Sequence, residues 1–92
     1  MGNPKFHLEV SFNETTGDPV AAYLRVREGK VAETKEISAG TAFADFSTDG
    51  SFLGIELLAP CPIEILEDIS EKESEQVRQF LRRGVRKEMI FA

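Results

Sequence analysis

The stretch DFSTDGSFLGIE, residues 45–56, decides the fold because it fits two different structures. Its oxygen-bearing side chains follow the spacing of an EF-hand calcium loop, which takes ligands from positions one, three, five and twelve. These positions hold Asp45, Ser47, Asp49 and Glu56. However, Asp49-Gly50 between apolar runs is also among the strongest short signals of a β-hairpin. The first structure would bind calcium, whereas the second would not.

The residues on either side of the turn favour the hairpin. An EF-hand loop lies between two helices, but TAFADF (41–46) alternates with period two, as a strand does. Loop position nine is Leu53, whose side chain offers no oxygen, and Pro60 follows soon after Glu56. We therefore predict a strand on each side of Asp49-Gly50 and no metal ligands in the loop.

The other extended segments complete a sheet of five strands. SFLGIELL (51–58) is apolar on both faces, which predicts a central strand. KFHLEVSF (5–12) and VAAYLRVR (20–27) alternate between apolar and polar residues, which predicts half-buried strands. A tight reversal at EGK (28–30) predicts a hairpin with VAETKEI (31–37), whose charges indicate an edge strand.

The C-terminal part contains the clearest helix, SEKESEQVRQFLRRG (70–84). Ser70 and Glu73 have the spacing of a capping box, in which each side chain accepts from a free amide of the first turn. A narrow apolar stripe at helical spacing predicts packing on the sheet: Val77, Phe80 and Leu81. Gly84 fits the position just after a helix, but the stripe continues to Met89, so the sequence leaves a longer helix open.

A chain of 92 residues forms a single domain, 1–92, of the α+β class. We predict a five-stranded, mostly antiparallel β-meander with a C-terminal α-helix packed on one face. The segments are the meander 5–58, a connector 59–69 that fits either a strand or a helical turn, the helix 70–84 and an apolar tail 85–92. The predicted core consists of Phe6, Leu8, Val10, Phe12, Leu24, Val26, Phe43, Leu53, Ile55, Leu57, Val77, Phe80 and Leu81.

The net charge of −5 is distributed unevenly along the chain. Residues 1–75 carry 6 basic and 15 acidic side chains, and residues 76–92 carry 5 basic side chains and one acidic one. The basic end could touch nucleic acid, but the acidic body weakens attraction to phosphate, so we predict no nucleic-acid partner. No apolar run approaches the roughly 18 residues of a membrane span, so we predict no membrane contact.

The sequence offers no set of catalytic or cofactor-binding residues. The single thiol, Cys61, fits a reducing compartment, and we expect a cytoplasmic protein in which Cys61 is a small buried side chain. His7 is the only histidine and lies in a predicted strand far from Cys61 in the sequence. The glycines are scattered singly and no zinc-ligand spacing occurs. We therefore predict no cofactor and no enzymatic activity.

Two stretches, DPVAAYLRV (18–26) and DFSTDGSFLGIEL (45–57), resemble the small family called domain of unknown function 2283. Its members carry an acidic residue before a strand and then a D-x-D-x-x-G hairpin that runs into G-I-E. The similar region, from Leu8 to Leu58, covers a little over half of the chain. Ser47 stands where the family has the second acidic residue of the hairpin. The resemblance implies no established activity, but some relatives resemble proteins encoded beside proposed toxins, which implies a neutralising role.

Two functions follow from these patterns. The first is a non-enzymatic protein-interaction module, a homodimer that binds a partner through a sheet edge or through its tail. The candidate contact residues of the tail are Met89, Ile90 and Phe91. The second is a small ligand-binding domain or enzyme with an acidic pocket. Its candidate residues are Tyr23, Asp45, Asp49 and Glu56.

Overall fold

A computed structural model describes residues 5–62, 64–85 and 90–91 of the chain. Its main sheet has five antiparallel strands, namely β1 (His7–Phe12), β2 (Pro19–Arg25), β3 (Glu33–Ser38), β4 (Ala42–Phe46) and β5 (Phe52–Leu58). The short strand β6 (Cys61–Pro62), the helices α1 (Glu64–Ser70) and α2 (Glu75–Gly84), and the short strand β7 (Ile90–Phe91) follow. The predicted α+β class, the five antiparallel strands and the C-terminal helix are confirmed.

The order of the strands differs from the predicted meander. It is β1-β2-β5-β4-β3, so β5 lies at the centre and pairs with β2 on one side and β4 on the other. This is a Greek-key arrangement of β2 to β5. The predicted tight reversal at 28–30 is therefore wrong, because the chain crosses from β2 to the opposite edge. The physical reason is burial: β5 is apolar on both faces and takes the centre, whereas the charged β3 lies at an edge, as predicted.

The hairpin at Asp49-Gly50 is confirmed. β4 and β5 pair directly, and the turn between them is closed by bonds from the Ser47 amide to the Ser51 carbonyl and from the Gly50 amide to the Ser47 carbonyl, both 2.9 Å. Gly50 has a φ of +86°, which favours glycine. The register shifts between Asp45 and Phe46 of β4. Asp45 pairs with Gly54 and Phe46 pairs with Phe52, so Leu53 of β5 has no opposite residue on β4.

The helical region differs from the prediction in three respects. The predicted connector contains α1, and the second helix begins after Ser74 instead of at Ser70. The Ser74 side chain caps α2 by accepting from the Val77 amide at 3.4 Å, so the predicted Ser70–Glu73 capping box is not formed. The helix ends at Gly84, which is helical and does not take the predicted position beyond the helix. A Cβ on Gly84 would lie 2.6 Å from Leu24 Cδ2, so this glycine permits close packing on β2.

The core lies between one face of the sheet and the two helices. Of the predicted core residues, seven are buried: Leu24, Val26, Leu53, Ile55, Leu57, Val77 and Leu81. Val10 and Phe80 are partly buried against them. The buried residues that the prediction omitted are Ala22, Ala42, Ala44, Phe52, Ile65, Leu66 and Val85. Most of these are small residues facing the helices or belong to the unpredicted helix α1.

The prediction that three further core residues come from the segment 5–12 is wrong. Phe6, Leu8 and Phe12 are 42%, 41% and 47% exposed. β1 is an edge strand, and just before it the Phe6 ring stacks on Phe80 of α2 with centroids 4.5 Å apart. Phe43, also predicted in the core, is only partly buried, and it lies on the face of the sheet away from the helices.

The tail is described only in part. Met89, one of the predicted partner contacts, lies outside the described residues. The backbone of Ile90–Phe91 pairs in parallel with Cys61–Pro62 of the same chain. Among the residues that the structure describes, no helix is long and apolar enough to cross a membrane.

Candidate binding surface on the open face of the sheet

The face of the sheet opposite the helices, which we call the open face, carries three of the four predicted pocket residues. Directly opposed residues of antiparallel strands share a face, so the register defines lines of neighbouring side chains across all five strands. The first line is His7, Arg25, Gly54, Asp45 and Thr34. The second line is Glu9, Tyr23, Glu56, Phe43 and Glu36. Both helices pack on the other face, against Leu24, Ile55 and Leu57.

A hydrogen-bond network joins four side chains of the open face. The Tyr23 hydroxyl donates to Asp45 Oδ2 at 2.9 Å, and the Thr34 hydroxyl donates to Asp45 Oδ1 at 2.6 Å. Arg25 donates to the Tyr23 hydroxyl oxygen at 3.4 Å and, through its other nitrogens, to the carbonyls of Arg27 and Gly29. The network therefore ties β2 to β4 and β3 and also fixes the loop that follows β2.

Gly54 makes this network geometrically feasible. It lies on β5 between Arg25 and Asp45, and the Tyr23 ring lies across it. A Cβ at Gly54 would come within 2.9 Å of the Tyr23 hydroxyl oxygen and 2.8 Å of the Leu24 carbonyl oxygen. The missing side chain at the centre of the sheet is thus what lets the phenol reach a carboxylate two strands away.

The network keeps the Tyr23 hydroxyl in its protonated form. Partial burial raises the pKa of the Tyr23 hydroxyl, and its hydrogen bond to Asp45 raises that pKa further, so the phenol stays protonated at neutral pH. Both oxygens of Asp45 already accept a hydrogen bond. These bonds hold the Tyr23 ring and the Asp45 carboxylate in fixed orientations on the open face.

The second line of the open face alternates rings and carboxylates. Tyr23 and Phe43 are partly buried, while Glu9, Glu56 and Glu36 beside them are exposed. The carboxylates stand on alternate strands, roughly 10 Å apart by the usual spacing of strands in a sheet. The surface combines aromatic contact area with separated negative charges.

Asp49 is the one predicted pocket residue that lies apart from the others. It is in the β4–β5 turn, where it accepts hydrogen bonds from the Ser47 hydroxyl and, at 3.0 Å, from the Ser51 amide. These bonds lower the pKa of the Asp49 carboxyl to about 2. The structure brings Tyr23 and Asp45 together and places Glu56 next to Tyr23 on the same face. Asp49, in contrast, bonds only within the turn in which it lies. In the described part of the chain, no three metal-ligating side chains cluster.

A cleft of about 760 Å³ lies elsewhere, between the β4–β5 turn and the segment joining α1 to α2. Its most buried charges are Arg27 and Glu73, whose ion pair measures 2.6 Å with side chains 18% and 15% exposed. Arg27 also donates to the Phe52 carbonyl. Phe46, Phe52 and Ile69 are among the apolar lining residues.

Sequence reasoning missed this pair. Alternation predicts Arg27 on the polar face of a strand and the spacing predicts Glu73 in a capping box. The two residues are 46 positions apart, and nothing in the sequence indicates that they pair. In the structure β2 ends at Arg25, so Arg27 lies just beyond the strand, where the chain leaves the sheet.

The fold and the surface define a small α+β domain with an acidic sheet face that neither α1 nor α2 covers. A comparison of the chain with protein-family models, curated proteins and solved structures finds no match. The resemblance to domain of unknown function 2283 stays a prediction.

Proposed function

We propose that this chain is a non-enzymatic protein-interaction module whose open face binds a basic protein partner. The observation that carries the proposal is the second line of the open face, where partly buried Tyr23 and Phe43 alternate with exposed carboxylates. Aromatic residues are enriched at the centre of protein interfaces, and charge complementarity at the rim selects the partner. The chain's net charge of −5 adds long-range attraction to a basic surface.

The network beneath this surface supports the same proposal. Tyr23 is held between Arg25 and Asp45, so little side-chain freedom is lost when a partner covers it. A cytoplasmic location and a toxin-neutralising role belong to this proposal as well. The first follows from the lone thiol, and the second rests on the family resemblance alone.

The test is affinity capture from cells of the source organism with two variants of equal charge. Glu56→Lys reverses a charge in the middle of the open face, while Glu67→Lys makes the same change at an exposed position of α1. We expect a basic protein to be captured by the wild type and by Glu67→Lys. We expect Glu56→Lys to weaken its binding by about tenfold or more, as loss of a central contact does. A partner retained equally by both variants would bind elsewhere and would contradict the proposal.

A small-ligand function is the second candidate, and the cleft beside Arg27 favours it. Its volume of about 760 Å³ falls within the usual range of ligand sites. The cleft is not lined by Tyr23, Asp45, Asp49 or Glu56, so it differs from the acidic pocket predicted from sequence. Native mass spectrometry of the purified chain tests it: a retained small molecule that is lost in Gln76→Trp, which would fill the cleft, supports this function.

A further inference from the structure

The two edges of the main sheet differ in how they resist pairing with another chain. β3 carries Glu33, Lys35 and Glu36, and its register is irregular between Glu36 and Ser38, which are common devices for protecting an edge. β1 contains no proline, and its apolar residues Leu8 and Phe12 are about two-fifths exposed or more. An exposed edge strand of this kind is a template for a further strand.

The hydrogen bonds of β2 show which groups of β1 point outward. The Ala59 amide donates to the Val20 carbonyl at 2.9 Å, so Val20 and the other even-numbered residues of β2 bond to β5. Odd-numbered residues of β2 then bond to β1, where Tyr23 faces Glu9 and Arg25 faces His7. The backbone groups of Leu8 and Val10 are therefore directed to the free edge.

From this geometry we propose that the chain forms a homodimer in which β1 pairs antiparallel with β1 of a second copy, with Leu8 on the two-fold axis. Leu8 faces Leu8 of the second copy, and their outward N–H and C=O groups exchange hydrogen bonds. The two sheets join into one, with both open faces on the same side. The dimer extends the proposed interaction module, since it doubles the binding surface without using the open face.

Charge complementarity selects this register among those the outward groups allow. Centring on Leu8 sets His7 opposite Glu9 of the second copy, and these two side chains already bond at 2.9 Å within one chain. Centring on Glu9 would set two carboxylates directly opposite each other, which is destabilising. Centring on Val10 would extend the pairing to Phe12, where the ladder of β1 is irregular.

The same register covers the exposed apolar side chains of β1. Leu8 of each copy lies against the other Leu8, and Phe6 lies opposite Val10 of the second copy. Phe6 stacks on Phe80 of α2 and is 42% exposed, so the second copy would continue the core beyond the edge.

Disulfide trapping with single cysteines tests the register. Leu8→Cys, Glu9→Cys and Val10→Cys are each made in a Cys61→Ser background and oxidised at micromolar concentration. Directly opposed residues lie within disulfide range, so Leu8→Cys should give at least about tenfold more covalent dimer than the other two. Efficient trapping through position 9 or 10 instead would overturn the Leu8 register.

A second measurement does not depend on trapping. Light scattering of the wild type should give twice the chain mass of 10.2 kDa, and Leu8→Lys should give the monomer because two lysines would oppose each other. Ile37→Lys, at an apolar position of similar exposure on the opposite edge strand, should remain a dimer with an unchanged circular dichroism spectrum. A monomeric wild type, or a dimer kept by Leu8→Lys and lost on deletion of residues 89–91, would overturn the proposal. Neither assay contains a partner protein, so its failure is distinguishable from failure of open-face binding.

Discussion

The hydroxyl of Tyr23 on β2 reaches Asp45 on β4 at 2.9 Å, although β5 lies between the two strands. A tyrosine can bridge two strands in this way only because Gly54 presents no side chain beneath its ring. The relationship explains why the central strand, built mostly from large apolar residues, carries a glycine at its third position.

Gly54→Ala should therefore destabilise the fold. The added Cβ would meet the Tyr23 hydroxyl oxygen at 2.9 Å and the Leu24 carbonyl oxygen at 2.8 Å. Overpacking of this kind typically costs about 1–3 kcal/mol in the free energy of unfolding, which urea titration measures. Adding Gly54→Ala to Tyr23→Ala should cost less than adding it to the wild type, because part of the crowding is gone. Strictly additive effects would show that the ring is not what Gly54 accommodates.

The single tyrosine should titrate above its ordinary pKa of 10. Partial burial is the first cause and the bond to Asp45 is the second, so Asp45→Asn should remove part of the increase in pKa. Because the folded pKa exceeds the unfolded one, this group's contribution to stability is complete below pH 10 and is lost as pH rises through the folded pKa. Tyrosinate absorbance measures the midpoint directly, since the chain has no tryptophan. The same titration in urea is the control and should return to about 10.

The open face shows how far sequence can place a site. Period-two alternation placed Tyr23 on the polar face of β2 and predicted hydrophobic burial of Leu24 and Val26, and both outcomes are confirmed. The Asp49-Gly50 turn fixed the pairing of β4 with β5. Alternation predicts which face of the sheet a side chain occupies. It does not predict which strand pairs with β2.

The helical region shows a different limit. The capping-box rule favours Ser70, which has Glu73 three residues later, over Ser74, which has Val77 there, yet Ser74 caps α2. Tertiary contacts decide: Glu73 pairs with Arg27 and is unavailable for a capping box, and Ser70 is buried at the end of α1. The exposure of β1 is also a tertiary outcome, since β1 lies at the edge of the sheet and pairs only with β2.

Removing one member of the Arg27–Glu73 pair should be costly. Both side chains are mostly buried, and Arg27 also donates to the Phe52 carbonyl, so the remaining partner would be left as an uncompensated charge. Arg27→Met should lower the free energy of unfolding by roughly 3 kcal/mol, the lower end for a broken buried pair. Glu73→Gln, which keeps the shape and a hydrogen-bonding oxygen, should cost less.

The control for that experiment is the exposed pair Lys5–Glu28, which measures 2.8 Å with both side chains about three-quarters exposed. Lys5→Met should have a much smaller effect than Arg27→Met, because water screens exposed charges. Equal losses of stability in the two variants would mean that the pair beside the cleft is as well solvated as a surface pair.

The carboxyl of Asp49 should titrate at about 2, well below its ordinary value of 3.8. The Ser47 hydroxyl is the largest cause and the Ser51 amide the second, so Ser47→Ala should raise this pKa towards 3.8. Since the folded pKa lies below the unfolded one, the turn's contribution to stability is present above pH 3.8 and is lost as pH falls through about 2. Carboxyl-carbon NMR measures the midpoint, and the urea-unfolded chain serves as the control at 3.8. A folded-state midpoint that Ser47→Ala leaves unchanged would mean that the serine does not hold this carboxylate, and the turn would then depend on Gly50 and the backbone bonds of Ser47 alone.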